Sequence, residues 1–202
     1  MKTIIITSTV ILVSLAVLFS FPSSYKIKNA DPIGETIVCF GDSLTYGTGA
    51  TKGMDYPSQL SRLIDIEVIN SGVPGDTTEK ALNRIDKIIN MNPRIVLITI
   101  GGNDLKNGVK KEIAFKNIEQ LIHIIQKNGA LVILGGIDVP FWGRGFGRGY
   151  IELAEKTGSV LVQNIFKDIF GKPRLMSDSI HPNNQGYTIM AKHFYKALKP
   201  YL

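Results

Sequence analysis

Thr36-Ile-Val-Cys-Phe40, running directly into Gly41-Asp-Ser-Leu44, decides the fold: a short apolar run is followed at once by a turn that can open a helix. A run of that length without polar alternation reads as a strand buried on both faces, the habit of parallel sheets. The pattern recurs downstream, where strands are expected at Glu67–Asn70, Ile95–Ile100, Leu131–Leu134 and Val160–Val162. Between them, Tyr56–Ile64, Thr78–Met91, Ile113–Asn128, Gly149–Thr157 and Gln185–Leu198 repeat apolar residues at helical spacing. Asn128-Gly129 and Thr157-Gly158 place a left-handed capping residue where two of those helices should stop. Strands alternating with amphipathic helices imply βα units, so the expected fold is α/β, a three-layer α/β/α sandwich around a parallel sheet of about five strands.

Composition narrows the class further. With 202 residues, 44% hydrophobic and 20% charged, the chain suits one globular domain rather than a disordered or fibrous class. The net charge of +6 comes from Lys and Arg spread along the chain, with no basic run interleaved with aromatics, so no nucleic-acid partner is expected. The single cysteine, Cys39, excludes an intramolecular disulfide. Lying mid-strand, it reads as a packing residue, since a nucleophilic thiol needs a nearby base and partial exposure.

The first thirty residues stand apart. Met1-Lys2 precedes Thr3 to Phe21, an uncharged stretch dominated by Ile, Val, Leu and Phe, with Tyr25-Lys-Ile-Lys28 after it. Residues 1–30 are therefore expected to be a signal peptide or an N-terminal membrane anchor, and residues 31–202 the folded domain. Both readings stay open. A cleavage site before Asp31 would have Lys28 at its −3 position, and about twenty apolar helical residues just span a hydrocarbon core of roughly 30 Å. Either way the expected location is exported, periplasmic or extracellular, or anchored to the outer face of the cytoplasmic membrane.

In open parallel sheets the ligand site gathers outside the carboxyl ends of the strands. The first strand runs into Gly41-Asp-Ser43-Leu44, the second into Asn70-Ser-Gly-Val-Pro-Gly75-Asp-Thr-Thr78 and the third into Gly101-Gly-Asn103-Asp104, while Asp178-Ser-Ile-His181-Pro182 precedes the last helix. Each alone would serve as an ordinary turn or cap. Together they place a nucleophile, a base, an orienting carboxylate and an amide donor at one sheet edge. A serine hydroxyl needs a base to remove its proton, and His181 is the histidine with a carboxylate, Asp178, close enough to fix its tautomer. His123 and His193 fall inside helical patterns, as packing or surface residues. A tetrahedral oxyanion would need donors, and the candidates are the Ser43 N–H, an N–H in the Gly72–Gly75 loop and the Asn103 side-chain amide.

Gly41-Asp-Ser-Leu44, Gly75, Gly101-x-Asn103-Asp104 and Asp178-x-x-His181 resemble the ordered sequence blocks of the GDSL or SGNH hydrolases. Gly75-Asp76-Thr77 is similar to the corresponding block of the bacterial thioesterase I, lysophospholipase and arylesterase branch. The resemblance implies a flavodoxin-like sandwich and a triad of Ser43, His181 and Asp178 that needs neither metal nor cofactor. It assigns the oxyanion hole to Ser43, Gly75 and Asn103 rather than Gly72, and implies hydrolysis of an ester or thioester through an acyl-serine.

The implied substrates are small to medium or lipid-derived acyl esters and thioesters. An acetylesterase acting on acetylated polysaccharide and a non-catalytic ligand-binding module are the alternatives, the latter predicting a broken triad. Pro140–Tyr150 follows the fourth strand on the same edge, and its glycines interleaved with aromatics suggest a mobile flap; in the resembling branch the equivalent region contacts the acyl chain, so Phe141, Trp142 and Phe146 are expected substrate contacts. The chain has no Gly-x-Ser-x-Gly elbow, no phosphate-loop lysine spacing, and no paired His or Cys at metal-ligand spacing.

Overall fold

The computed structural model describes residues 25–140 and 145–202. Its strands are β1 (Thr36–Gly41), β2 (Val68–Gly72), β3 (Pro93–Thr99), β4 (Leu131–Gly135) and β5 (Val160–Val162). They form one parallel sheet in the order β2-β1-β3-β4-β5. This is the flavodoxin-like order, and its direction reverses between β1 and β3, where such sheets open a crevice at the strand ends. Ile37–Phe40 of β1, Ile95–Ile98 of β3 and Leu131–Leu134 of β4 are all buried. Both faces are covered, which is why those runs carry no polar alternation.

The helices are α1 (Ser43–Tyr46), α2 (Tyr56–Ile64), α3 (Thr78–Leu82), α4 (Ile85–Ile89), α5 (Gly102–Lys106), α6 (Lys111–Lys127), α7 (Phe146–Thr157) and α8 (Asn184–Leu198). α2 packs on α8, and α6 packs on α3 and α7. Right-handed crossovers put these two groups on opposite faces of the sheet. Across the first layer the Tyr56 and Phe194 rings stack with centroids 4.8 Å apart. In the second, Phe115, Phe146 and Tyr150 form a tilted cluster. Side chains of Asp42, Asp55, Thr77 and Asn183 cap α1, α2, α3 and α8 by accepting backbone N–H bonds, each cap contributing about 1 kcal/mol.

The structure departs from the sequence expectations in three places. The helix expected over Thr78–Met91 breaks into α3 and α4 at Arg84, whose φ of −122° and ψ of 13° leave helical geometry. Its guanidinium is drawn beneath the strand ends, as detailed below. The last helix before β5 starts at Phe146 rather than Gly149. Gly147 and Gly149 are poor helix formers in isolation, yet a Cβ at either would collide with Asp138 or Phe115. The short helices α1 and α5, at the ends of β1 and β3, were not expected as separate elements.

The apolar segment Thr3–Phe21 lies outside the described residues, so the signal or anchor reading does too. Tyr25–Asn29, however, is built into the fold. Tyr25 Oη donates to Ser159 O (2.8 Å), Lys28 N to Gly158 O (2.9 Å), and Asn29 Nδ2 to Gln126 O (2.8 Å) and Ala130 O (2.9 Å). The packed body thus includes residues ahead of Asp31, where the domain boundary was expected.

Candidate active site

Ser43 owes its position to two tight constraints. Asp42 follows the end of β1 and caps α1, its Oδ1 accepting from Leu44 N at 3.0 Å, so Ser43 starts the helix with an N–H that has no hydrogen-bond partner among the described residues, as is common for first-turn amides. Gly41 lets the strand end pass against its neighbours, since a Cβ there would overlap the Thr99 carbonyl and the Thr45 hydroxyl. The Gly-Asp-Ser order is therefore a packing requirement before it is a chemical one.

His181 arrives from the far end of the chain. The Met176–Pro182 bridge and the Ser177 N–H to His181 O bond (2.8 Å) close a turn that presents the imidazole to the end of β1. Its Nε2 lies 3.0 Å from Ser43 Oγ, and its Nδ1 lies 2.7 Å from Asp178 Oδ2. An ionised carboxylate can only accept, so Nδ1 carries the proton and Nε2 is left to accept from the serine. Asp178 Oδ1 also accepts from Ile180 N (2.8 Å) and His181 N (2.7 Å). Desolvation alone would raise its pKa, but the His181 hydrogen bond and those two backbone donors outweigh it and hold the carboxyl down to about 2.

The donor side is equally constrained. Val73-Pro74-Gly75-Asp76 closes a turn through Asp76 N to Val73 O (3.1 Å), with Pro at the second position and Gly75 at φ +80°, the type II arrangement that needs glycine third. The Gly75 N–H has no hydrogen-bond partner among the described residues. Gly72 does, donating to Asn70 Oδ1 at 2.9 Å, so it has no free proton to offer. Asn103 Nδ2 gives one hydrogen to Asp76 O at 2.8 Å, which fixes the amide plane and leaves its second hydrogen available.

A cleft open to solvent begins at Ser43, Asn103 and His181. Its walls are mostly apolar, with Ile137 and Val139 after β4, Phe166 and Phe170 after β5, and Ile180 beside the histidine, while Lys106 of α5 adds a charged residue to the lining. Asn164 Nδ2 to Asp138 O (2.7 Å) ties the two wall loops together. These wall residues were missed in the sequence. Their only signal was the presence of apolar residues in loops just past strand ends.

Of the three aromatics expected to contact substrate, Phe141 and Trp142 lie outside the described residues. Phe146 corrects the expectation: it is 4% exposed and packs into the aromatic cluster between α6 and α7 instead of lining the cleft. Cys39 is fully buried, and burial pushes its thiol well up from the ordinary value. His123 is half exposed beside Glu119, and His193 is half-buried on α8. Neither meets the serine.

Asp42 is only 2% exposed. Burial raises its carboxyl to about 7, with Asp76 and Asp104 adding to the rise and the Leu44 N–H opposing it. Asp104, also buried, accepts from Thr78 N (2.9 Å) and Thr78 Oγ1 (2.6 Å), fastening α5 to α3. Among the described residues no group of His, Cys, Asp or Glu is disposed to hold a metal ion.

Residues 39–189 match the profile of the GDSL-like Lipase/Acylhydrolase family. An arylesterase of Vibrio mimicus is 27% identical over 200 residues, covering 92% of this chain and 98% of its own. Thioesterase 1/protease 1/lysophospholipase L1 of Escherichia coli K12 is 27% identical over 175 residues, covering 82% and 84%. The crystal structure of TesA superposes with a TM-score of 0.78 at 27% identity, covering 83% of this chain and all of that one.

Proposed function

We propose, from the premise that this chain belongs to the GDSL-like Lipase/Acylhydrolase family, that it hydrolyses small to medium or lipid-derived acyl esters and thioesters through an acyl-serine on Ser43. The observation that carries the reading is the hydrogen-bonded series Ser43–His181–Asp178 at the mouth of an apolar cleft. Ser43 Oγ attacks the carbonyl carbon while its proton passes to His181 Nε2. Asp178 holds the Nδ1 proton and stabilises the imidazolium. The Ser43 and Gly75 N–H groups and the Asn103 amide take the oxyanion, and removing one such donor costs about 10²–10³ in turnover. Collapse breaks the C–O or C–S bond, with His181 returning the proton to the departing alcohol or thiol. Water then adds to the acyl-serine, His181 takes its proton, and Ser43 Oγ recovers one as the acid leaves.

The apolar walls favour an acyl chain over a bare acetyl group, which disfavours acetylated polysaccharide as the main substrate. Relatives named arylesterase, thioesterase and lysophospholipase fit a site whose selectivity lies in its walls and not in its reacting groups. The uncharged stretch Thr3–Phe21 supports export or anchorage outside the cytoplasmic membrane. N-terminal mass analysis of membrane and soluble fractions separates a cleaved signal from a retained anchor, and full-length protein found only in the cytoplasm refutes both.

The functional test is hydrolysis of p-nitrophenyl acetate, butyrate, octanoate and palmitate by the full chain in mild detergent, beside Ser43→Ala. Butyrate and octanoate should be turned over faster than acetate, and Ser43→Ala should lose the activity. A serine variant as active as the wild type refutes the reading.

A further inference from the structure

Arg84 makes more buried polar contacts than any surface role requires. Its Nε lies 2.6 Å from Asp76 Oδ2, its Nη1 donates to Ser71 O and Ser71 Oγ at 3.1 Å each, and its Nη2 donates to Gly41 O at 2.9 Å. The guanidinium carbon sits 4.3 Å from the centre of the Phe40 ring. The side chain is 15% exposed and that of Asp76 7%. One side chain thus clamps the ends of β1 and β2 and the turn that follows β2, and the helical backbone breaks at Arg84 to let it reach them.

Two of the clamped groups, Gly41 and Asp76, lie within two residues of a proposed oxyanion donor. Gly41 leads into Asp42 and Ser43. Asp76 follows Gly75 directly, and its carbonyl accepts from Asn103 Nδ2 at 2.8 Å. Asp42, Asp76 and Asp104, each next in sequence to a donor residue, are all buried, so negative charge forming on a tetrahedral intermediate would develop beside carboxyl groups. Arginine is permanently charged and its planar fork can meet a carboxylate and two carbonyls at once.

We propose that Arg84 is a positioning residue for the oxyanion hole, acting through Asp76 to hold the Gly75 N–H and the Asn103 amide in place while offsetting the buried carboxylates. The proposal rests on the esterase reading, and it adds a residue that lies outside every quoted sequence block, nine positions after Gly75. A purely structural arginine would affect folding without a selective effect on the chemical step.

The test uses the full chain in mild detergent, with wild type, Arg84→Gln, Arg84→Lys, Asn103→Ala and the Arg84→Gln/Asn103→Ala double variant, all checked for folding by circular dichroism. Two readouts are taken: kcat and KM on p-nitrophenyl butyrate, and the rate of Ser43 labelling by an alkyl fluorophosphonate, which does not depend on the ester chosen. Arg84→Gln should lower kcat and labelling by about 10²-fold with KM changed less than about threefold, as loss of an oxyanion donor does. Arg84→Lys, which keeps the charge but not the fork, should recover part of that loss. The double variant should be little worse than Asn103→Ala alone, because both act on one unit. A folded Arg84→Gln with wild-type kcat and labelling overturns the proposal, as does a loss confined to KM, or single losses that multiply in the double variant. Should Arg84→Gln not fold, a folded Arg84→Lys with wild-type kcat and labelling overturns it equally. An inactive wild type that still labels at Ser43 counts against the chosen substrate class while the labelling series still decides on Arg84.

Discussion

Asp42 offers a stability prediction whose sign is opposite to the ordinary behaviour of carboxylates. Its carboxyl is raised from 3.8 to about 7, first by burial and then by the neighbouring Asp76 and Asp104. Between those two values the folded protein keeps a proton that the unfolded chain has already released, so stability falls as pH rises through the window. The full difference is about 4 kcal/mol. Asp42→Asn preserves an acceptor for the Leu44 N–H while removing the charge. Urea unfolding of wild type and Asp42→Asn between pH 3 and pH 9 isolates the effect, since any packing cost of the asparagine is independent of pH. The variant should gain on the wild type from about pH 4 to about pH 7 and then plateau, a midpoint shift of about 2 M at an m-value of about 2 kcal/mol/M. A wild-type-minus-variant difference that is flat across the range, or that grows as pH rises, refutes the reasoning.

The other predictions concern packing, specificity and the base. Phe194→Ala removes a fully buried ring stacked on Tyr56 and should cost about 3–5 kcal/mol in urea unfolding, with kcat of the remaining folded protein near wild type. Val139→Trp, on the wall of the cleft, should lower kcat/KM for p-nitrophenyl octanoate more than about tenfold and leave acetate within about threefold, in line with hydrophobic-pocket discrimination; equal losses on both esters would place the acyl chain elsewhere. Asp178→Asn should cost about 10⁴ in kcat by favouring the wrong imidazole tautomer, measured on the butyrate ester. Because Asp178 is lowered from 3.8 to about 2, its contribution to stability is present above the higher value and lost as pH falls through the lower, the reverse of Asp42.

The strands were legible because β1, β3 and β4 are buried on both faces and so write their burial as unbroken apolar runs. The reacting blocks were legible for a different reason: a serine, a histidine with a carboxylate three residues earlier, and an amide after β3 make chemical sense only together. What was hidden depended on partners distant in sequence. The break at Arg84 exists because Ser71, Asp76 and Gly41 supply its acceptors, and no local pattern in Thr78–Met91 announces them. Phe146 was misread because glycines alternating with aromatics suggest a flap, whereas Gly147 and Gly149 make room for Asp138 and Phe115 in a packed helix. The cleft walls were invisible for the converse reason, since Ile137, Val139, Phe166 and Phe170 resemble loop residues until the sheet sets their loops side by side.

In the proposed mechanism a covalent acyl group passes through Ser43. Rapid acid quench of the full chain during turnover of p-nitrophenyl butyrate, followed by intact and peptide mass analysis, tests it most directly. A butyryl mass increment should appear on the peptide containing Ser43, be absent from Ser43→Ala, and last longer when Asp178→Asn slows deacylation. An increment on another residue, or undiminished turnover in Ser43→Ala with no adduct in either protein, would contradict it.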